Sequence, residues 1–304
     1  MSPFFERTRD PLRGLLVLLA LTTCGVALAA LPLDLPPVSN PASTEHHPGK
    51  VIWADLVTPD LGADESFYGG LFGWTFQTIH TGDSDYAIAL LDGRPIAGML
   101  KKAIPAGEKR RPAWLTFIAV RDVDTARGIA ISHGAKIMSE PKTYARRGRQ
   151  AVFADPEGAV FAVLASASGD PPDFLAAPGD WIWSASFERD PKQSAAFYNV
   201  VFGYDVFDLP SDDGAEHVIL SSDDYARAAI HTLTPDHRQP HWLNFIRVVD
   251  AVDTAAKAVA LGGRVVVEPY VDRHGGKIAV IVDPTGAAVA VMEWSDTDTK
   301  VEPK

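Results

Sequence analysis

The side chains that could do chemistry in this sequence are few and scattered. His231, His237 and His241 lie close enough together to raise a metal site, but the last two flank a Pro-containing loop with no matching carboxylate on a defined strand. Asp55 and Arg247 are single charges inside otherwise apolar, strand-like runs. Arg146, Arg147 and Arg149 sit beside Gly148, and Arg273 and His274 beside Gly275 and Gly276. Loops of that kind can close over a binding site and bring Arg147, Arg149, Arg273 or His274 to an anion, though solvated charges on a surface loop have the same composition. There is no Gly-rich phosphate loop after a strand, no Gly-x-Ser-x-Gly elbow and no His-Glu-x-x-His. Nucleotide binding, serine hydrolysis and zincin chemistry therefore lack their signals. With 28 Lys plus Arg against 39 Asp plus Glu, the formal charge is -11, which offers no basic footprint for nucleic acid.

Residues this sparse must be brought together by the fold, and the fold is written twice. The run 113–166 returns as 241–294 at an offset of 128, from Trp114 to Trp242, from Asp122 to Asp250, from Glu140-Pro141 to Glu268-Pro269 and from Asp155 to Asp283. A preceding block, Trp53, Asp60, Phe67-Tyr68 and Phe72-Gly73-Trp74, is answered by Trp183, Asp190, Phe197-Tyr198 and Phe202-Gly203-Tyr204 at an offset of 130. One small loop indel accounts for the drift, so this is a duplicated domain. Each block reads alike. In the first, 51–57 is a strand, Asp60 caps a helix with Ala63, Phe67 and Leu71 at helical spacing, and Gly73 ends it. Strands 76–79, 86–91 and 95–100 follow, the last two joined by the hairpin signal Asp92-Gly93. Four βαβββ units in two pairs give an α+β fold, with the third unit the least legible.

The expected layout is a signal over 1–29, a Pro-rich lead-in over 30–49, a first domain over 50–166, a linker over 167–179, a second domain over 180–294 and a polar tail over 295–304. The charge-free run 14–31 follows Arg7, Arg9 and Arg13 and ends on small residues, which reads as an export signal cut near Ala29. The same run is long enough to anchor in a membrane. Cys24, the single cysteine, sits in a Leu-Thr-Thr-Cys-Gly stretch that resembles a bacterial lipoprotein site. The chain is thus expected in the periplasm or facing it, with the membrane met only through this segment.

The Phe-Tyr-x-x-x-Phe-Gly-aromatic run after a strand and an Asp, followed a unit later by Asp-Pro-x-Gly before an apolar strand, resembles the vicinal oxygen chelate superfamily of glyoxalases, bleomycin-resistance proteins and extradiol dioxygenases. The resemblance spans about 50–294 and implies two glyoxalase-like domains, each a mixed sheet curled around a cavity. In that family a metal is held from the first and last strands of the units. The matching positions here are Trp53, Leu115 and Ala162 in the first domain and Trp183, Leu243 and Ala290 in the second. None of these six side chains can hold a divalent cation, so the expectation is no metal and no other cofactor.

Alternation along a strand says what lines the cavities instead. Trp53 and Asp55 share a face, as do Leu115 and Phe117, with Ala162 opposite. In the second domain the set is Trp183, Phe245, Arg247 and Ala290. Two fillings are open for such aromatic walls: plain core, or a small apolar or planar organic ligand held by packing and one polar anchor, the first domain being favoured for the ligand. The resemblance also leaves open a metal-dependent lyase or dioxygenase built on other donors, such as Asp55, Glu188 and His241, and a structural role with both cavities filled.

Overall fold

The computed structural model describes residues 34–81, 84–103, 111–209, 216–233, 239–272 and 275–294. The export segment with Cys24, His237, Arg273, His274 and the tail lie outside the described residues. Unit one is β1 (Val51–Thr58), α1 (Leu61–Phe72), β2 (Thr75–Thr81), β3 (Ser84–Leu91) and β4 (Arg94–Lys101). Unit two is β5 (Ala113–Ala119), α2 (Val123–Ser132), β6 (Lys136–Tyr144), β7 (Gly148–Ala154) and β8 (Val160–Ser166). Unit three is β9 (Trp181–Glu188), α3 (Pro191–Phe202), β10 (Asp205–Leu209), β11 (His217–Ser222) and β12 (Tyr225–Thr232). Unit four is β13 (His241–Val248), α4 (Ala251–Ala260), β14 (Arg264–Val271), β15 (Lys277–Val282) and β16 (Ala288–Glu293).

The repeated aspartates start the helices. The carboxylates of Asp60, Asp122, Asp190 and Asp250 each accept a backbone N–H from the first turn, from Ala63, Thr125, Gln193 and Asp253. That satisfies a donor the helix itself leaves orphaned. α1 and α3 end on Gly73 and Gly203 at φ 75° and 74°, a left-handed cap where a side chain would be strained.

Units one and two form one eight-stranded sheet in the order β2-β3-β4-β1-β5-β8-β7-β6, and units three and four repeat that order as β10-β11-β12-β9-β13-β16-β15-β14. Both are mixed, with β1 parallel to β4 and antiparallel to β5. The curled sheet around a cavity expected from the resemblance is corrected here: each sheet is open, with β2 and β6, or β10 and β14, left as edges. The Glu-Pro pairs account for two of these edges. Glu140-Pro141 and Glu268-Pro269 lie in edge strands β6 and β14, where the pairing register breaks between Ser139 and Lys142 and between Val267 and Tyr270. Proline has no N–H to give a further strand, and charge and a bulge beside it keep an edge in water.

The helices lie between the sheets, and they cross the sequence pairing of units. One core joins units one and four, packing Leu56, Phe67, Tyr68 and Met99 with Ile246, Ala255, Ile281 and Val291, and takes in Trp114 from β5. The other joins units two and three, packing Ile118, Phe153, Phe161 and Val163 with Phe197, Tyr198 and Leu220, and takes in Trp242 from β13. Each holds a matching clamp. Asp283 Oδ1 accepts the backbone N–H groups of Thr285, Gly286 and Ala287, and its Oδ2 takes the Tyr68 hydroxyl at 3.0 Å. Trp114 Nε1 then donates to Tyr68 at 2.8 Å. Asp155, Tyr198 and Trp242 repeat the arrangement at 2.9 Å for both links. The recurring Phe-Tyr and Asp-Pro-x-Gly motifs are thus the two halves of one buried joint, and they hold the sheets together.

Candidate functional site

The sheet faces turned away from the helices are where the candidate residues fall. In the first sheet, Trp53, Phe117 and Ala162 lie in one cross-strand row, and Gly98, Asp55 and Leu115 lie in the next. Alternation had placed these side chains on one face, and they pack together there. That face is full. Asp55 Oδ1 accepts both the Trp53 indole and the Tyr86 hydroxyl at 2.7 Å. The Arg147 guanidinium lies 4.0 Å above the Trp53 ring, donates from Nη2 to the Tyr86 hydroxyl at 3.2 Å and from Nε to the Pro36 carbonyl at 2.7 Å. Arg147, read from sequence as a loop residue at a cavity mouth, is 0% exposed. A buried cation survives only with partners, and Trp53, Tyr86 and Pro36 supply them. Burial next to Asp55 pushes the Tyr86 phenol well up, so it stays protonated and donates a hydrogen bond to the carboxylate.

Residues 34–49 complete the seal without forming a helix or strand. Val38 packs on Ile52, Trp53 and Phe117, and Leu35 packs on Tyr86, Ile88 and Leu90. Gly98 is required by this crowding: a Cβ there would sit 1.7 Å from the Tyr86 hydroxyl and 2.2 Å from Asp55 Oδ1.

The second sheet presents the same rows in a different state. Trp183, Phe245 and Ala290 form one row, and Phe207, Ile219, Ala229, Ala185 and Leu243 form the next. Ala185, Ala229 and Ala290 make a low floor, each 2% exposed or less. Trp183, Phe187 and Ile219 stand around it partly exposed, and Phe207 and Tyr270, on the edge strands, are 55% and 51% exposed. Phe207, Ile219 and Tyr270 were not singled out from sequence; their signal was the same alternation, applied to strands too faint to read. A further row carries His217, His231, Phe187 and His241. His217 and His231 meet through Nδ1 atoms at 2.6 Å, and His241 stacks on Phe187 at 5.2 Å.

Arg247, expected as the anchor of this face, turns to the backbone instead. Its Nη1 donates to the Ala176 carbonyl at 2.7 Å and its Nη2 to that of Trp294 at 2.9 Å. Arg149 is held by Asp124 at 2.8 Å.

The residues in the inherited metal positions do not fit a metal: Trp53, Leu115 and Ala162, like Trp183, Leu243 and Ala290, present no donor. Among the described residues no group of three His, Cys, Asp or Glu side chains could hold an ion. The alternative set is not assembled either. Asp55 belongs to the first sheet's sealed face, His241 stacks on Phe187, and Glu188 is buried in the joint beside Ser186 and Asp155. Burial, and then the Asp155 charge, push Glu188 well above the usual carboxylate range. Asp64, at the other joint, is pushed up to about 7 by burial and by Asp283. Both are structural acids whose surroundings favour the protonated form, Glu188 more strongly than Asp64.

Comparison with known proteins agrees with this fold. A family model described as the glyoxalase/bleomycin resistance protein/dioxygenase superfamily matches residues 50–163 and 184–291. A Mycobacterium tuberculosis protein named as a glyoxylase, CFP32, is 30% identical over 255 residues, 83% of this chain and 98% of its own. The anthracycline biosynthesis protein DauV of Streptomyces sp. strain C5 is 32% identical over 266 residues, 82% of this chain and 95% of its own. Among solved structures, the Mn(II)-bound glyoxalase from Novosphingobium aromaticivorans superposes with a TM-score of 0.57 at 17% identity, over 82% of this chain and 83% of that one. Homoprotocatechuate 2,3-dioxygenase from B. fuscum gives 0.58 at 14% identity, over 90% and 76%. With both halves matched, the chain belongs to the glyoxalase/bleomycin resistance protein/dioxygenase superfamily, in a duplicated form whose described residues assemble no metal cluster.

Proposed function

We propose that this protein binds a planar, fused-ring organic molecule without a metal, on the helix-free face of the second sheet, and that it does so after export. The observation that carries the reading is the contrast between the two faces. The first is sealed by Arg147, Leu35 and Val38, whereas the second leaves Phe207, Trp183 and Phe187 standing around an alanine floor. A flat ring system can lie on such a floor with aromatic side chains against its faces and edges. The likeness to DauV, an anthracycline biosynthesis protein by name, supports a ligand of that shape. Covering roughly 200 Å² of apolar surface at about 25 cal/mol per Å² contributes about 5 kcal/mol before the cost of association is met, so the affinity is weak.

The test is a titration of chelator-treated protein with an anthracycline, followed by tryptophan fluorescence. Saturable quenching is expected, weakened at least tenfold in Trp183→Ala and Phe245→Ala. Absence of saturation, or wild-type affinity in both variants, refutes the site. Stoichiometric metal by elemental analysis, lost together with binding on chelation, would support a metal-dependent lyase or dioxygenase instead.

A further inference from the structure

We infer that the ring system bound on the second sheet carries a phenolic hydroxyl at one edge, and that His217 and His231 receive it. The inference rests on the ligand face proposed above and names the chemistry at one end of it.

Four rings stand in file across that face, one to each strand: His217 on β11, His231 on β12, Phe187 on β9 and His241 on β13. Their centroids are 4.8, 5.3 and 5.2 Å apart along the file. His231 and Phe187 come two residues after Ala229 and Ala185, so the file borders the alanine floor on the same side of the sheet. The floor runs from Trp183 to Phe187, about 13 Å of strand, and three fused rings laid along it bring one edge to the file. His217, His231 and Phe187 are all half-buried, so their outer parts meet whatever lies on the floor. The sheet itself does not require histidine here. In the first sheet the corresponding row is Tyr86, Leu100, Val57 and Ala113.

The His217–His231 contact sets the polarity of this end. Their Nδ1 atoms are 2.6 Å apart, a distance that requires a hydrogen between them. Turning either ring over would put a carbon in that place, where none fits, so the separation itself decides which atoms meet. One ring gives the hydrogen and the other takes it. A neutral imidazole carries hydrogen on only one of its nitrogens. The giving ring therefore has a basic Nε2, and the taking ring has an Nε2–H. A group that both gives and takes a hydrogen bond matches such a pair, and a hydroxyl is that group. A phenolic one sits in the plane of the ring system and is more acidic than an alcohol, which strengthens its bond to an imidazole base. A quinone or ether oxygen only accepts, and so serves one nitrogen of the two.

The experiment uses two probes of one shape, 2-hydroxyanthraquinone and 2-fluoroanthraquinone, titrated into the protein and followed by tryptophan fluorescence. Both are expected to saturate, with the hydroxyl compound at least tenfold tighter, which is what one good hydrogen bond supplies. In His217→Phe and in His231→Phe, which keep a ring in the file but lose the shared hydrogen, the ratio of the two affinities should fall to about one. If wild-type protein binds both probes equally, the fused-ring site stands and the hydroxyl inference is overturned, without any variant having to fold. A tenfold preference that survives in both histidine variants overturns it as well. If neither probe saturates, the fused-ring reading fails and this inference falls with it.

Discussion

Asp64 tests the account of the joints most sharply, because its expected effect changes with pH. It sits in the first turn of α1, where the helix dipole favours a carboxylate by about 0.3–1 kcal/mol. Burial at 0% exposure and the neighbouring Asp283 oppose this, and they win: the carboxyl is raised from 3.8 to about 7. An acid with a raised folded value binds its proton more tightly when folded than when unfolded. Stability therefore falls as pH rises from about 4 to about 7 and is level above that. At about 1.4 kcal/mol per unit the full penalty is roughly 4 kcal/mol. Asp64→Asn copies the neutral form, keeps an acceptor for the Thr285 hydroxyl and turns an amide donor toward the Asp283 side. Urea unfolding at pH 4.5, 6 and 8 should show a gain that is small at 4.5, intermediate at 6 and up to about 4 kcal/mol at 8. A gain independent of pH, or a loss at pH 8, would refute the reasoning.

The remaining predictions concern the same buried chemistry. Tyr68→Phe and Tyr198→Phe each strip an indole donor and an aspartate of a shared hydroxyl, so each should cost about 2–4 kcal/mol in denaturant unfolding, and the two losses should add because they lie in separate cores. Arg147→Met leaves Asp55 buried without its cation and should cost roughly 3–5 kcal/mol; adding Asp55→Asn should recover a large part of it, and a double-mutant cycle with no coupling would show that the pair is not linked through Tyr86.

Local rules fixed much of this protein before any tertiary contact was known. An N-cap needs only a carboxylate and the three residues after it, so Asp60, Asp122, Asp190 and Asp250 marked four helices correctly. Side chains alternate along a strand, so Trp53 could be placed on a face with Asp55, and Leu115 with Phe117; that these strands carry no metal donors at the family's positions followed from the resemblance. The open edges were not read, since a curled sheet was expected, although Glu140-Pro141 and Glu268-Pro269 prove to lie in two of them. What fills or covers a face was not legible, because burial is non-directional and its partners come from anywhere in the chain. Arg147 is buried because Pro36, 111 residues away in sequence, and Trp53 happen to receive it, while Arg146 and Arg149 on either side stay exposed. Leu35 and Val38, in a run that composition marks as a tether, seal one sheet, and nothing equivalent among the described residues seals the other. The joint is tertiary in the same sense: Tyr68 meets Asp283 across 215 residues, because α1 buries its apolar side against unit four of the second sheet rather than against its sequence neighbour.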